Sequence, residues 1–301
     1  MRLPLRRDHW EREIDRLDPV RDRLRITQLL ALHEFPWDLQ QALSFALFRT
    51  YAVPSIGRLL FDTGEFTTDT QRRHDDTVLI LEGIIEHGPD SAAGRQSVRR
   101  MNQMHGSYDI SNDDMRYVLA TFVVMPVRWV EDYGYRRLRS HEIGASVEYY
   151  RRVGALMGIT DLPDDYAGFS RLLDAYEAEH FRPDRKTRAV ADATLELLTS
   201  FYPKPLAPAV DAFARSLMDD HLLAAFGYRK PSAPVRWASR AALRLRGRVI
   251  ARLPARREPT FARDLARVKS YPNGHIVARL GTFPATMPTE DELAERVSAT
   301  G

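Results

Sequence analysis

The sequence predicts an all-α protein, and three observations carry that prediction. Apolar residues recur three and four positions apart through most of the 301 residues. Alternating strand patterns are nearly absent, and residues that start and stop helices stand at the ends of the periodic stretches. The first stretch runs over 8–31 and the second over 38–51. Asp69 opens a helix over 69–87 that Gly88 closes, and Ser91 opens one over 91–105 that Gly106 follows. Asn112, with Asp113 and Asp114, begins 112–133, which ends at Gly134, and 141–157 stops before Gly158. Stretches 164–180, 184–201, 207–227 and 235–253 complete the series. Pro126 lies inside 112–133 and should kink or break that helix, because it lacks an N–H and crowds the preceding turn.

The bulk composition bounds the chemistry. With 44 % hydrophobic residues the chain can bury a core without covalent staples. There is no cysteine, which excludes disulfides, zinc-thiolate sites, iron–sulfur clusters, a thiolate-ligated haem and covalent haem attachment. Any iron must rest on histidine, carboxylate or tyrosine. The basic side chains are nearly all arginine, with Lys186, Lys204, Lys230 and Lys269 the only lysines, and the net charge of +3 gives no reason to expect a nucleic-acid partner. The first residues carry paired arginines without an apolar segment after them, so a cytoplasmic location is expected. The longest apolar run, 117–127, lies between Arg116 and Arg128 and falls short of the ~20 residues of a membrane span. It reads as a buried core helix.

The charge pattern shifts late in the chain. Between Asp220 and Glu258 there are ten arginines and lysines and no acidic residue. We therefore expect a single multi-helix globular domain with a core over 1–228 and a basic C-terminal helical extension over 229–301 packed on it. In 235–257, Arg236, Arg240, Arg244, Arg248 and Arg252 recur every fourth residue, with Trp237, Ala241, Leu245 and Val249 one position behind. On a helix these rows form a basic stripe beside an apolar one, which suits peripheral contact with a membrane as well as ion pairs within the domain.

Candidate chemistry centres on the nine histidines. No His-Glu-x-x-His occurs, and there is no Gly-x-Ser-x-Gly elbow or glycine-rich phosphate loop. Glu177 and His180 form one Glu-x-x-His, half of what a di-iron carboxylate bundle requires. His105 ends a helix directly before Gly106, sharing a face with Met101 and Asn102. On the preceding helix Arg73 and Thr77 are one turn apart, where they could grip a carboxylate and donate a hydrogen bond beside it. The same residues also suit a solvated helix face and a helix-closing histidine.

The stretches "FRTYAVPSIGRLLFDTGEF", "TQRRHDDTVLILEGI", "VRRMNQMHGSYDISNDDMRYVLATFVVMPVRWVEDYGYR" and "HEIGASVEYYRRVGALMGITDLP" occur in that order within about residues 40–225. This series resembles the haem-dependent oxygenase family of mpaB and latex clearing protein, the rubber oxygenases. The resemblance implies a b-type haem in a buried cavity, its iron bound by His105, with Arg73 and Thr77 touching the cofactor. It also implies distal, oxygen-side chemistry at Arg73, Asp76 and Thr77, although rubber oxygenases carry a lysine where this chain has Asp76. A carboxylate can only accept hydrogen bonds where an ammonium donates them, so the distal chemistry should differ. The family's catalytic glutamate cannot be placed in this sequence.

Dioxygen and an apolar, prenyl- or terpenoid-like substrate are the implied partners, with oxidative cleavage of a carbon–carbon double bond or hydroxylation as the reaction. Haem binding without turnover, as in a sensor, is the alternative. The pocket should be apolar, with walls from 117–125 and 78–85. The second ring nitrogen of His105 should find an acceptor in Asn102 or a backbone carbonyl. His74, beside Arg73, is a rival ligand that reads as a partly exposed helix residue.

Overall fold

The computed structural model describes residues 3–282, so the last part of the basic extension lies outside the described residues. Among the described residues helices account for nearly all regular structure, and pairing between extended segments is limited to one isolated bridge between Leu5 and Ala255. The chain runs through α1 (His9–Ile14), α2 (Arg23–Leu29), α3 (Pro36–Thr50), α4 (Pro54–Asp62), α5 (Glu65–Thr68), α6 (Thr70–His87) and α7 (Ala92–His105). It continues through α8 (Asn112–Tyr133), α9 (Ser140–Leu156), α10 (Tyr166–His180), α11 (Arg185–Ser200), α12 (Ala207–Leu217), α13 (Asp220–Ala225) and α14 (Ala233–Ile250). The all-α reading holds.

Local chemistry sets the ends. Asp69 accepts the N–H of Arg72 at 3.2 Å, and Ser91 accepts that of Gly94 at 3.0 Å, as the cap positions required. Two expected helices are each divided, for the same reason. Within 8–31, the Asp18 carboxylate takes the N–H groups of Val20 (3.0 Å) and Arg21 (2.8 Å), so a turn replaces the helix and separates α1 from α2. Within 207–227, Asp219 accepts the N–H of Leu222 at 2.9 Å and starts α13 afresh. Conversely, α4 and α5 were not marked by periodicity. They follow Pro54 at a helix start and Gly64, whose φ of +78° suits glycine. Pro126 does not break α8, which stays helical from Asn112 to Tyr133.

The core forms around α8. Tyr117, Leu119, Ala120, Val123, Val124 and Val127 are buried, and α3 and α10 pack along this helix. α6 and α7 lie side by side, with α9 and Leu280 completing a second apolar cluster around Leu79, Ile84 and Val98.

α14 packs on α12 and α8 through Ser239, Leu243 and Gly247, where a Cβ would come within 2.6 Å of the Tyr133 carbonyl. Its arginines divide. Arg236 pairs with Asp220 at 2.6 Å, Arg240 donates to the Ser216 carbonyl at 3.2 Å, and Arg246 pairs with Asp38 at 2.9 Å while stacking on Trp37. Arg244, Arg248 and Arg252 face outward together with Trp237 (72 % exposed), Leu245 and Val249. No helix of the described residues is long and apolar enough to cross a membrane.

Candidate active site

α6 presents two chemically different faces. One carries Arg73, His74, Thr77, Val78 and Leu81 into a cavity of about 200 Å³. Opposite it stand Phe45 and Phe48 of α3, Leu195 and Leu198 of α11, and Phe201. The wall expected from 78–85 is present, but 117–125 does not contribute. That segment is consumed by packing in the core, and α3 and α11 take its place.

The other face of α6 carries Asp75 and Asp76, both buried. They anchor a C-terminal strap that crosses the helix. Asp75 accepts the N–H groups of Lys269 and Ser270 and the Ser270 hydroxyl, at 2.9, 2.9 and 2.7 Å. Asp76 accepts the Tyr271 hydroxyl and a backbone bond from Gly281. Burial raises its pKa, and these donors and nearby arginines offset part of that rise. Asp76 is thus turned to the strap and is not on the cavity wall. The cause is the strap itself, whose Tyr271 hydroxyl and Gly281 N–H claim the carboxylate on the side of α6 away from the cavity.

Arg73 donates to the Thr77 hydroxyl, which in turn donates to the Arg73 carbonyl at 2.9 Å. The guanidinium lies 5.3 Å from the centre of the Phe66 ring and makes no ion pair among the described residues. His105, the last residue of α7, has no hydrogen bond on either ring nitrogen, and Nδ1 is sealed from solvent. Asn102 does not serve it, because its amide donates to the Leu156 carbonyl at 2.9 Å. Burial, assisted by the charge of Arg73, lowers the His105 pKa to about 4, so the imidazole is neutral at physiological pH. His105 itself is not on the cavity wall. Arg73 links the two, lining the cavity while its charge bears on the histidine.

The remaining candidates are committed elsewhere. Glu177 receives Arg49, with Nε at 2.7 Å, and the Tyr117 hydroxyl at 3.2 Å. The His180 ring stacks on Tyr176 with centroids 4.0 Å apart, and its Nδ1 lies 3.0 Å from the Tyr176 carbonyl. Among the described residues no three histidine, aspartate or glutamate side chains converge on a point that could hold a metal ion. His74 keeps partial exposure, as expected, but it lies on the cavity wall with Nε2 unbonded and sealed. Sequence reasoning missed Arg267, which reaches the same wall from an irregular segment without periodicity to give it away.

Residues 34–252 match the family described as ER-bound oxygenase mpaB/B'/rubber oxygenase, catalytic domain. The chain belongs to this family. Curated relatives include ER-bound oxygenase mpaB' of Penicillium brevicompactum, 33 % identical over 225 residues, covering 69 % of this chain and 53 % of that protein. ER-bound oxygenase mpaB of the same organism is 33 % identical over 199 residues, covering 60 % of this chain and 51 % of the relative. The mpaB of Penicillium roqueforti (strain FM164) is 32 % identical over 213 residues, covering 65 % and 72 %. The chain therefore spans about half the length of the two Penicillium brevicompactum relatives. Within the matched range of this mpaB/rubber oxygenase domain fall Arg73, Thr77 and His105, whereas the strap that holds Asp76 lies beyond it.

Proposed function

We propose that this mpaB/rubber oxygenase domain is a b-type haem-dependent oxygenase that uses dioxygen on an apolar, prenyl- or terpenoid-like substrate, by double-bond cleavage or hydroxylation. The observation that carries the reading is His105: a neutral imidazole, with both ring nitrogens unspent, within reach of the charge of an arginine that forms no ion pair among the described residues. An isolated histidine suits an iron already held by four macrocycle nitrogens, which asks only one bond of the protein. A bare metal ion asks for several ligands, and the one Glu-x-x-His is spent on Arg49 and Tyr176. The residues thus fit the cofactor. His105 would bind the iron, and Arg73 would meet a propionate as a charge-assisted pair.

Bound haem supplies one-electron chemistry with dioxygen, which side chains cannot provide. The chain's own residues do the rest. Thr77, fixed by Arg73, offers a hydroxyl at the cavity wall where a polar reacting group can be oriented. Phe45, Phe48, Leu195, Leu198 and Phe201 exclude water and take apolar surface out of solvent. An engineered cavity of about 150 Å³ in another protein accepts benzene. At about 200 Å³ this one suits the reacting segment of a substrate whose remainder extends outward. Asp76, spent on Tyr271 and Gly281, holds the strap against α6.

The outer face of α14 supports peripheral membrane contact from the cytoplasmic side. Trp237, Leu245 and Val249 project beside Arg244, Arg248 and Arg252, a combination that places rings and aliphatic groups at the acyl boundary and cations among anionic head groups.

The deciding experiment is an absorption spectrum of the purified protein. A Soret band that His105→Ala removes and His180→Ala retains is expected. A band that survives in His105→Ala refutes the assignment, and a Soret band without oxygen-dependent product from any prenyl substrate favours the sensor.

A further inference from the structure

The cavity has a charged corner that the proposed chemistry does not use. Arg267 lines it, donating through Nη2 to the Gln40 amide oxygen at 2.9 Å, while its Nε is sealed and has no partner. Among the described residues the guanidinium makes no ion pair. Burial lowers its pKa, with Tyr202 and Asp75 only partly opposing. Asp75 acts on it through charge at a distance and makes no ion pair with it, its oxygens accepting instead from Gln71, from two backbone N–H groups and from the Ser270 hydroxyl. Beside Arg267 stands His74, on the same wall, whose Nε2 is also sealed and unbonded.

A half-buried guanidinium that no carboxylate touches is poorly compensated, and a buried polar atom without a partner is rare in a folded protein. Two such groups on the wall of an otherwise apolar cavity mark a place where a ligand completes the bonding. A guanidinium on a cavity wall is the group that receives a carboxylate as a charge-assisted pair. A neutral imidazole adds one more donor or acceptor. Leu81, Phe48 and Leu198 would then accept an aliphatic or prenyl chain.

We propose that Arg267, with His74 beside it, is a carboxylate-receiving subsite, and that the substrate of this chain is an amphipathic acid: an acidic head on an apolar chain. Arg267 lies beyond residues 34–252, on the strap, and His74 lies within them, on α6. Calling the ligand a substrate rests on the oxygenase reading, whereas the subsite does not. Two carboxylates could fill it, that of the substrate or a haem propionate, and the test separates them.

The full-length protein, with its haem content recorded from the Soret band, is titrated calorimetrically with decanoate and with decan-1-ol. Wild type should bind decanoate about tenfold more tightly than the alcohol, the size of effect one charge-assisted pair supplies. Arg267→Gln should erase the preference with the Soret band unchanged, and Arg267→Lys should restore part of it. If Arg267→Gln instead sheds haem while wild type shows no preference, the carboxylate is a propionate and the acidic-substrate proposal fails. A preference that survives in Arg267→Gln, or the absence of both effects, overturns the subsite. Decanoate preference in a wild type that carries no haem keeps the subsite and removes the oxygenase reading.

Discussion

Removing the Glu177 carboxylate should destabilise the fold by several kcal/mol without touching the proposed haem. Glu177 is 4 % exposed and Arg49 is 7 % exposed, and they meet through both guanidinium prongs, with Tyr117 donating to the same carboxylate. Burial works against the charge on Arg49, and the carboxylates of Glu177 and Asp219 more than offset it. In Glu177→Ala, Arg49 keeps only Asp219, a residue whose side chain is 49 % exposed, and the Tyr117 hydroxyl loses its acceptor. Breaking one side of a buried pair costs about 3–5 kcal/mol, because the remaining charge stays desolvated. In a chain of 301 residues that corresponds to a fall in Tm of roughly 5–8 °C. Urea denaturation and thermal melting measure the loss, and the Soret absorbance per folded molecule measures the cofactor. A loss under about 1 kcal/mol would show that the pair is solvated and contributes little. Loss of iron in proportion to folded protein would return Glu177 and His180 to the metal.

The other expectations concern acid, membranes and the cofactor. In haem-free protein, His105 has a folded pKa of about 4, below its ordinary value of 6.5, so the unfolded chain takes the proton first and stability falls as pH drops from about 6.5 towards 4. Between pH 7 and pH 5 wild type should lose about 2 kcal/mol more than His105→Gln in urea titrations, and equal losses would contradict the lowered pKa of the imidazole. The full-length protein should co-sediment with phosphatidylserine vesicles at low salt and release as salt rises. Changing Arg248 or Arg252 to Ser should weaken binding about fivefold each, and indifference to anionic vesicles would assign the outer face of α14 to solvent. The spectral comparison of His105→Ala with His180→Ala decides the ligand itself.

Much of the helical framework is legible in the sequence, because a helix depends on neighbours three and four residues away and on caps at its own ends. Asp69, Ser91 and the periodicity of 112–133 sufficed for α6, α7 and α8. The same local logic explains the two divided helices only after the fact. Asp18 and Asp219 each carry a carboxylate that can either cap a new turn or face solvent, and the pattern of apolar residues does not say which. Short helices such as α4 and α5 offer too few turns for a period to show.

The site divides along the same line. The sequence by itself determined that any iron would have to rest on histidine, carboxylate or tyrosine rather than cysteine, that Arg73 and Thr77 share a helix face, and that His105 closes the next helix. Those statements depend on composition and on spacing within one helix. Only the tertiary structure decided that Asp76 faces a strap from nearly 200 residues downstream, that α3 and α11 rather than α8 wall the cavity, and that Arg267 reaches it without an ion pair among the described residues. Contacts of that range are set by which surfaces meet when the helices pack, and no local period encodes them.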